Sequence, residues 1–244
     1  MNSGAIGEIS RRRRRVPPVT IVVFAREPLP GAAKTRLIAK LGTANTAALA
    51  DAFIHDALAK AGALGTPLAL AGDAASGAAN SQYFRALARR HGAALLEQGE
   101  GTLGARMRRV IEPFADRGAI LIGTDTPSLP LPLLRRSLVL LRSASVVLGP
   151  SLDGGYYLLG VQGVMPDIFR GVRWGSASVL AETIARLDRQ RFHYALAPSW
   201  YDVDRWSDLL LLCADLRRRS GRAPDPCPVT RRVLARLGLF RIGG

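Results

Sequence analysis

The chain has 244 residues, of which 48% are hydrophobic and 22% charged, so it is long enough to bury a sizeable core and is not disordered overall. No apolar stretch reaches the roughly 18 residues of a membrane helix, and the 2 cysteines have no metal-ligand spacing and form no disulfide framework. The net charge of +15 raises nucleic acid as a partner, but no aromatic residues interleave with the basic clusters to stack bases, so composition does not favour that class.

The first 18 residues differ from the rest of the chain. They contain an arginine run, Arg11 to Arg15, and end at Pro17-Pro18. Such a segment has no means of burying apolar surface, so residues 1–18 are predicted to form a disordered basic arm. The run faintly resembles a twin-arginine export signal, but the apolar run after it stops at Arg26, which is too short for a leader. We therefore expect a cytoplasmic protein with one domain over residues 19–244 and make no prediction of its oligomeric state.

Buried strands and helices alternate along this domain. The predicted strands are Val19–Ala25, Pro67–Ala71, Ala93–Glu97, Ala119–Gly123, Ser145–Leu148, Tyr156–Val161 and Phe192–Leu196. The predicted helices are Ala33–Ala61 with an interruption near Gly42, then Gln82–Arg90, Thr102–Phe114, Leu131–Leu141, Ser178–Leu187, Trp206–Arg218 and Val229–Leu239. This alternation predicts an α/β fold of three αβα layers around a mostly parallel sheet. The loops after the first four strands then meet at one edge, where such folds bind nucleotides.

The loop after the first strand has the composition of an anion site. Two prolines and Gly31 exclude regular structure there and predict a tight, stiff loop. Arg26, Lys34 and Arg36 surround the start of the next helix. Cations, free backbone N–H groups and a helix dipole favour phosphate there, although the spacing is not that of a Walker A loop. The alternative is a proline-rich loop with incidental surface cations.

Three aspartates are candidate metal ligands. Asp125 directly follows the buried fourth strand, and Asp202 and Asp204 alternate in a segment that, if extended, places both carboxylates on one face. Three carboxylates meeting at one edge repel one another and need a cation, for which a hard divalent ion is the usual choice. The alternatives are that Asp125 caps the turn before Pro127 and that Asp204 caps the helix starting near Trp206.

Asp153 stands before a double glycine, Gly154-Gly155. The two glycines either let the backbone pass close to a ligand or simply form a hairpin-like turn. Residue types alone leave both possibilities open.

Taken together, these segments resemble a family of small bacterial transferases with the GT-A, or nucleotide-diphospho-sugar transferase, fold. The family is described as glycosyltransferase family A or arsenosugar-biosynthesis-type glycosyltransferases, and it is distantly similar to phospholactate and molybdenum-cofactor guanylyltransferases. The resemblance runs from about Val19 to Leu212. It is carried by Phe24-Ala25-Arg26-x-Pro28-x-Pro30-Gly31-x-x-Lys34-Thr35-Arg36-Leu37, Gln98-Gly99, Leu103-Gly104-x-Arg106-Met107, Gly123-x-Asp125-x-Pro127, Gly149-Pro150-x-x-Asp153-Gly154-Gly155-Tyr156-Tyr157-Leu158 and Trp174. One departure is that Asp204 is followed by Arg205-Trp206-Ser207-Asp208 where the family continues Thr-Pro-Glu-Asp.

The resemblance implies a transferase that depends on Mg²⁺ or Mn²⁺ and takes a nucleotide donor and a small-molecule acceptor. Glycosyl transfer from a nucleotide sugar is preferred; the alternatives are nucleotidyl transfer to a phosphorylated acceptor with release of pyrophosphate, and a binding protein without catalysis. The implied metal ligands are Asp125, Asp202 and Asp204, and the implied catalytic residues are Lys34 and Asp153, the latter as a base for a hydroxyl acceptor. The implied nucleotide-binding residues are Ala25, Arg26, Gly31, Lys34, Arg36, Gly72, Gln98 and Gly99.

Overall fold

A seven-stranded sheet forms the centre of the molecule. The structure is a computed structural model that describes residues 18–219 and 224–240, so the predicted basic arm lies outside the described residues except for Pro18. The strands are β1 (Thr20–Arg26), β2 (Leu68–Asp73), β3 (Ala94–Glu97), β4 (Ala119–Gly123), β5 (Val146–Pro150), β6 (Tyr156–Val161) and β7 (Tyr194–Leu196). Their order across the sheet is β3-β2-β1-β4-β6-β5-β7.

Helices cover both faces of this sheet. They are α1 (Ile38–Leu41), α2 (Thr43–Gly62), α3 (Gln82–His91), α4 (Leu103–Ile111), α5 (Leu131–Leu140), α6 (Val179–Arg189), α7 (Trp206–Arg218) and α8 (Pro228–Arg236). Two 3₁₀ turns, Thr35–Leu37 and Glu112–Arg117, complete the helical elements of the described residues. The Thr102 hydroxyl caps α4, accepting a hydrogen bond from Ala105 N at 3.3 Å.

The sheet is mostly parallel because helices connect most of its strands. β6 is the exception and pairs antiparallel with both β4 and β5. Only five residues separate β5 from β6, too few for the crossover that a parallel pair requires. The start of β6 therefore lies at the same edge as the carboxyl ends of β1, β2 and β4.

Neighbouring residues of β1 belong to opposite sides of the sheet. Val23 packs with side chains of α2, α3 and α5, such as Leu58 and Phe84. Val22 packs with α4 and α6 through residues that include Ile111 and Leu187. A strand that is buried on both faces has apolar residues at consecutive positions, which explains why polar and apolar residues do not alternate along β1.

A further layer packs on the outer side of α2. Phe53 of α2 shares a buried cluster with Leu212 of α7 and Leu234 of α8. The Asp56 carboxylate in α2, 2% exposed, accepts the Val229 and Thr230 amides at 3.0 and 2.8 Å, where it serves as a cap for the first turn of α8.

One turn further along α2, the Lys60 ammonium donates to Pro127 O at 2.7 Å. Burial lowers the pKa of Lys60 to about 8. Helix α2 thus contacts both the C-terminal helix and the loop after β4.

Most predicted elements are present within one or two residues of their predicted bounds. The helix predicted from Ala33 is the main correction, since it begins as a 3₁₀ turn at Thr35, continues as the four-residue α1 and restarts at Thr43. The expected interruption at Gly42 is confirmed. Within the described ranges no helix is long and apolar enough to span a membrane.

Candidate active site

Two cavities open at the edge where β1, β2 and β4 end and β6 begins. The basic pocket, about 290 Å³, is lined by Arg26, Lys34 and Arg106 among others. The acidic pocket, about 310 Å³, is lined by Asp153 and Asp202, with apolar walls. Both pockets share Phe24, Leu103, Gly123 and Asp125 in their lining. A ligand that occupied both pockets would therefore pass across Asp125.

Lys34 ties together the segments that form the basic pocket. Its side chain is 7% exposed, and its ammonium lies 2.6 Å from Asp125 Oδ1 and 3.9 Å from Asp204 Oδ1. The ammonium also donates to Val203 O at 2.7 Å. The backbone of Lys34 is left-handed, with φ 50° and ψ 42°, a conformation uncommon for residues other than glycine. The positive charge predicted for phosphate binding is thus held beside Asp125.

Helix geometry adds less to the basic pocket than the sequence suggested. The element that follows Lys34 is a single 3₁₀ turn and a four-residue helix, which have only a small combined dipole. Side-chain cations therefore supply most of the positive potential. Arg36, also predicted to bind the nucleotide, has an exposed side chain that pairs with Asp204.

A second group of charges lies around Asp73 at the end of β2. Its Oδ2 atom accepts from Arg26 Nε at 3.0 Å and pairs with Arg106 Nη2 at 2.7 Å. Burial alone would raise the pKa of Asp73, but the hydrogen bonds and charges of the two arginines outweigh it and hold the pKa below its usual value. Arg106 also lies over the Phe24 ring, 5.6 Å from its centroid. One carboxylate therefore aligns two guanidinium groups along the basic pocket.

Gln98 connects this group of charges to strands β1 and β2. Its side chain is 1% exposed, and its Nε2 atom donates to Ala25 O at 2.9 Å and Ala71 O at 2.8 Å. Its Oε1 atom accepts from Arg106. Both amide hydrogens are thus used to join β1 to β2, and Gln98 positions Arg106. Contact of Ala25 or Gln98 with a nucleotide stays a prediction.

The predicted nucleotide-binding glycines have different surroundings. A Cβ at Gly72 would lie 2.7 Å from the Phe84 ring, so packing against α3 already requires glycine there. Gly31 and Gly99 lie in loops at the pocket edge, and the Arg109 side chain closes the second of these loops by donating to Gln98 O. Their contact with a nucleotide also stays a prediction.

Carboxylates dominate the acidic pocket. Ser151 Oγ donates to Asp202 Oδ1 at 3.1 Å. Burial raises the pKa of Asp202, and the charges of Asp153 and Asp125 raise it further, which shows that the three carboxylates lie close enough to repel one another. Asp153 Oδ1 accepts from Gly155 N at 2.9 Å, the local turn that the sequence left as an alternative, and Asp153 nevertheless lines the pocket.

The two alternating aspartates do not converge as expected. Asp202 lines the acidic pocket, whereas Asp204 lines the basic pocket and pairs with Arg36. The altered residues after Asp204 still provide a helix start, because the Asp208 carboxylate accepts the Asp204 and Arg205 amides at 3.0 and 2.7 Å. Asp208, and not Asp204, is therefore the capping side chain of α7.

Metal binding by these aspartates stays a prediction. Residues 18–219 and 224–240 contain no group of three or more His, Cys, Asp or Glu side chains already arranged around a metal position. The chemistry of the donor set fits a hard divalent cation, since Asp125 is half exposed at the junction of the pockets and Asp202 is destabilised by neighbouring negative charge. Asp125 and Asp202 would hold such an ion. Asp125 would then share its carboxylate with Lys34 or exchange that contact for the metal, and Asp204 would bind the ion only if it left Arg36.

Aromatic side chains form one wall of the acidic pocket. The Trp174 ring meets Tyr156 edge-on at 6.4 Å between centroids and stacks on Phe169 at the same separation, with an interplanar angle of 29°. Gly104 of α4 permits this arrangement, because a Cβ there would lie 2.7 Å from Trp174 Cζ2. The indole is therefore held on three sides.

Sequence reasoning assigned no role to several residues of this edge. Asp73 and Arg106 form part of the basic pocket, and Ser151 and Trp174 line the acidic pocket. Arg106 and Trp174 fell within the motifs of the family resemblance, and that was the available signal. Nothing in the spacing of Ser151 pointed to Asp202, 51 residues away.

The fold is that of the GT-A-type nucleotide-sugar transferases. A protein from Desulfovibrio desulfuricans G20, whose assignment as a nucleotide-diphospho-sugar transferase is itself provisional, superposes with a TM-score of 0.78. That likeness has 28% sequence identity and covers 92% of this chain and 99% of the other. Residues 54–176 match the family described as uncharacterized protein conserved in bacteria (DUF2064), and the chain belongs to this family.

More remote solved structures share the fold. Glucosyl-3-phosphoglycerate synthase from Mycobacterium tuberculosis, in complex with Mn²⁺, uridine diphosphate and glucosyl-3-phosphoglycerate, matches with a TM-score of 0.50 and 10% identity over 92% of this chain and 81% of that one. A CMP:2-keto-3-deoxy-manno-octonic acid synthetase complexed with CTP matches with a TM-score of 0.47 and 12% identity over 83% of this chain and 99% of that one, too low to bear on function. A search of curated proteins found no match.

Proposed function

We propose that the chain is a divalent-metal-dependent glycosyltransferase that moves a sugar from a nucleotide sugar to a small-molecule acceptor. The observation that carries this proposal is that a pocket containing Arg26, Lys34 and Arg106 shares Asp125 with a pocket that has no cationic residue in its described lining. A nucleotide sugar has a matching division, with an anionic diphosphate on one side and a neutral sugar on the other. The D. desulfuricans relative, at 28% identity, has a provisional assignment as a nucleotide-diphospho-sugar transferase, which supports a nucleotide-sugar donor.

The basic pocket is the proposed site of the nucleoside diphosphate. Lys34 would act as a point charge on phosphate oxygens, and Arg26 and Arg106, aligned by Asp73, would supply forked contacts. As the bond between sugar and diphosphate breaks, negative charge grows on the leaving phosphate, and fixed cations stabilise that charge without reorganising. A divalent cation held by Asp125 and Asp202 would supply further Lewis-acid stabilisation of the leaving group.

The acidic pocket is the proposed site of the sugar and the acceptor. The acceptor oxygen forms a bond to the anomeric carbon while the carbon–phosphate oxygen bond breaks, and the nucleoside diphosphate leaves with the bonding electrons. The hydroxyl proton must pass to a base, and Asp153 is the proposed one. Its Oδ1 atom is occupied by Gly155 N, so Oδ2 would take the proton. Such a base contributes roughly 10²–10⁴-fold.

The first test is binding. Thermal shifts would be measured with nucleoside triphosphates, diphosphates and nucleotide sugars, each with and without Mg²⁺ or Mn²⁺. We expect stabilisation by a nucleotide sugar with metal, and its loss in Asp125→Asn. Stabilisation of that variant equal to the wild type in a metal titration would remove Asp125 from the site.

The second test is catalysis with the donor that binds. Asp153→Asn should lower kcat by several hundredfold while donor affinity is kept. Release of pyrophosphate from a triphosphate donor would reject glycosyl transfer in favour of nucleotidyl transfer. Absence of any metal-dependent nucleotide binding would instead indicate a binding protein without catalysis.

A further inference from the structure

The lining of the acidic pocket contains negative but no positive side chains. Asp125, Asp153 and Asp202 face the cavity, and none of its lining residues that the structure describes is Arg, Lys or His. A negatively charged ligand group would therefore meet three carboxylates and no cationic partner. Juxtaposed like charges oppose binding and select against the wrong partner.

Cations near the pocket reduce its negative charge but do not reverse it. Arg173 precedes the lining residue Trp174, but its side chain is 83% exposed and lies 3.7 Å from Glu182. The Lys34 ammonium reaches Asp125 from the basic pocket, where Asp125 and Val203 O already occupy it. Even with a divalent cation on the carboxylates, the donor diphosphate would share that cation, leaving little positive charge for a second anion.

The walls of the acidic pocket are apolar. They include Leu103, Met107, Leu159, Val179 and the aromatic side chain of Trp174. Tyr156 is another lining residue, and its hydroxyl is buried. With about 310 Å³, the cavity lies at the small end of ligand pockets, which span roughly 300–1,000 Å³. Such walls suit a small molecule with an apolar face and a hydroxyl group.

We propose that the acceptor is an uncharged or cationic hydroxyl compound with an apolar face, and that the acidic pocket excludes phosphorylated and carboxylated acceptors. This inference rests on the proposed function, because it takes the acidic pocket as the acceptor side. It also assigns the specificity to the pocket's own charges, which can be altered without touching the basic pocket.

The test compares two probes that differ by one phosphate group, phenyl β-glucoside and phenyl β-glucoside 6-phosphate. Both carry hydroxyl groups and an apolar ring, and their affinities would be measured by isothermal titration at low salt. We expect the neutral probe to bind at least tenfold more tightly, with the gap narrowing in 0.5 M NaCl as charge is screened. Trp174→Ala should weaken the neutral probe and so locate it in the acidic pocket.

Two matched variants then add a positive charge, one inside the pocket lining and one outside it. Ser176→Lys adds a cation to the lining and should narrow the preference at least tenfold, whereas Ser143→Lys, at an exposed position outside the lining, should leave the preference unchanged. Equal or tighter binding of the 6-phosphate, or binding of neither probe at millimolar concentration, would overturn the proposal. An unaltered ratio of the two probe affinities in a folded Ser176→Lys protein would also overturn it.

Donor binding, measured separately with nucleotide sugars and metal, distinguishes the two proposals. Charge selection without donor binding rejects the glycosyltransferase assignment alone. Donor binding without charge selection rejects the acceptor class alone.

Discussion

Gly154 is the position where the structure most strictly requires glycine. Its φ is +89°, and a Cβ placed on it would lie 2.1 Å from Ala177 O, a backbone atom that cannot rotate away. The Gly154 carbonyl also accepts from Leu180 N at 2.9 Å, so this turn is seated against the start of α6. Gly154→Ala should therefore force the turn and the segment before α6 apart.

The expected cost has two parts. A left-handed backbone costs an alanine about 1–2 kcal/mol relative to a permitted conformation, and forcing an extra group into a packed contact costs about 1–3 kcal/mol. Gly163 provides the matched control, with φ +83° and nothing within 4 Å of its added Cβ. Gly163→Ala should show only the cost of the left-handed backbone. The difference in the free energy of unfolding between the two variants therefore measures the cost of the steric contact at Gly154.

The assay is urea unfolding followed by circular dichroism, with equal slopes required before the free energies of unfolding are compared. We expect Gly154→Ala to lose about 2–5 kcal/mol and Gly163→Ala about 1–2 kcal/mol. Because Ser176 of the adjoining segment lines the acidic pocket, Gly154→Ala should also impair acceptor use more than nucleotide binding. Equal destabilisation by the two variants would refute the close approach on which this reasoning depends.

Three further predictions concern the basic pocket and the arm. Lys34→Met should weaken nucleotide binding by about 1.5–3 kcal/mol, the scale of a hydrogen bond to a charged group, measured by titration calorimetry; unchanged affinity would make Lys34 purely structural. The lowered pKa of Asp73 contributes stability that is present above about pH 4 and lost as the pH falls through the folded-state pKa. The stability difference between the wild type and Asp73→Asn should therefore shrink below pH 4, and a difference constant from pH 7 to pH 3 would contradict this. Deleting residues 1–18 should leave Tm and nucleotide binding unaltered, and a fall of several degrees would show that the arm is docked.

The fold could be predicted because each strand and helix is indicated by its own short stretch of sequence. Ala119–Gly123 is an apolar run bounded by glycines, and the structure reproduces its bounds as β4. The start of the helix after β1 was less predictable than the interruption at Gly42, because its residues have helical spacing while Lys34 adopts a left-handed conformation. Backbone conformations of that kind depend on the tertiary contacts of the side chain, here those between Lys34 and Asp125.

The site was predictable in part, for a related reason. The position of Asp125 followed from the rule that loops gather at the carboxyl edge of a parallel sheet. The separation of Asp202 from Asp204 did not follow, because alternation places side chains on one face only if the segment is extended. In the structure this segment belongs to no strand, Val203 N donates to Asp125 O at 2.8 Å, and the two neighbouring carboxylates line different pockets.

The position of α8 bears on how the chain can be handled. The helix lies outside the residues that match the family, yet its first turn supplies the amide partners of the buried Asp56 carboxylate, one turn from the Lys60 ammonium that holds Pro127 O. Removing α8 would leave a carboxylate without partners beside a lysine that contacts the loop of Asp125. A chain that ends before α8 would therefore have a disturbed loop at Asp125, and an affinity tag should not be fused close to α8.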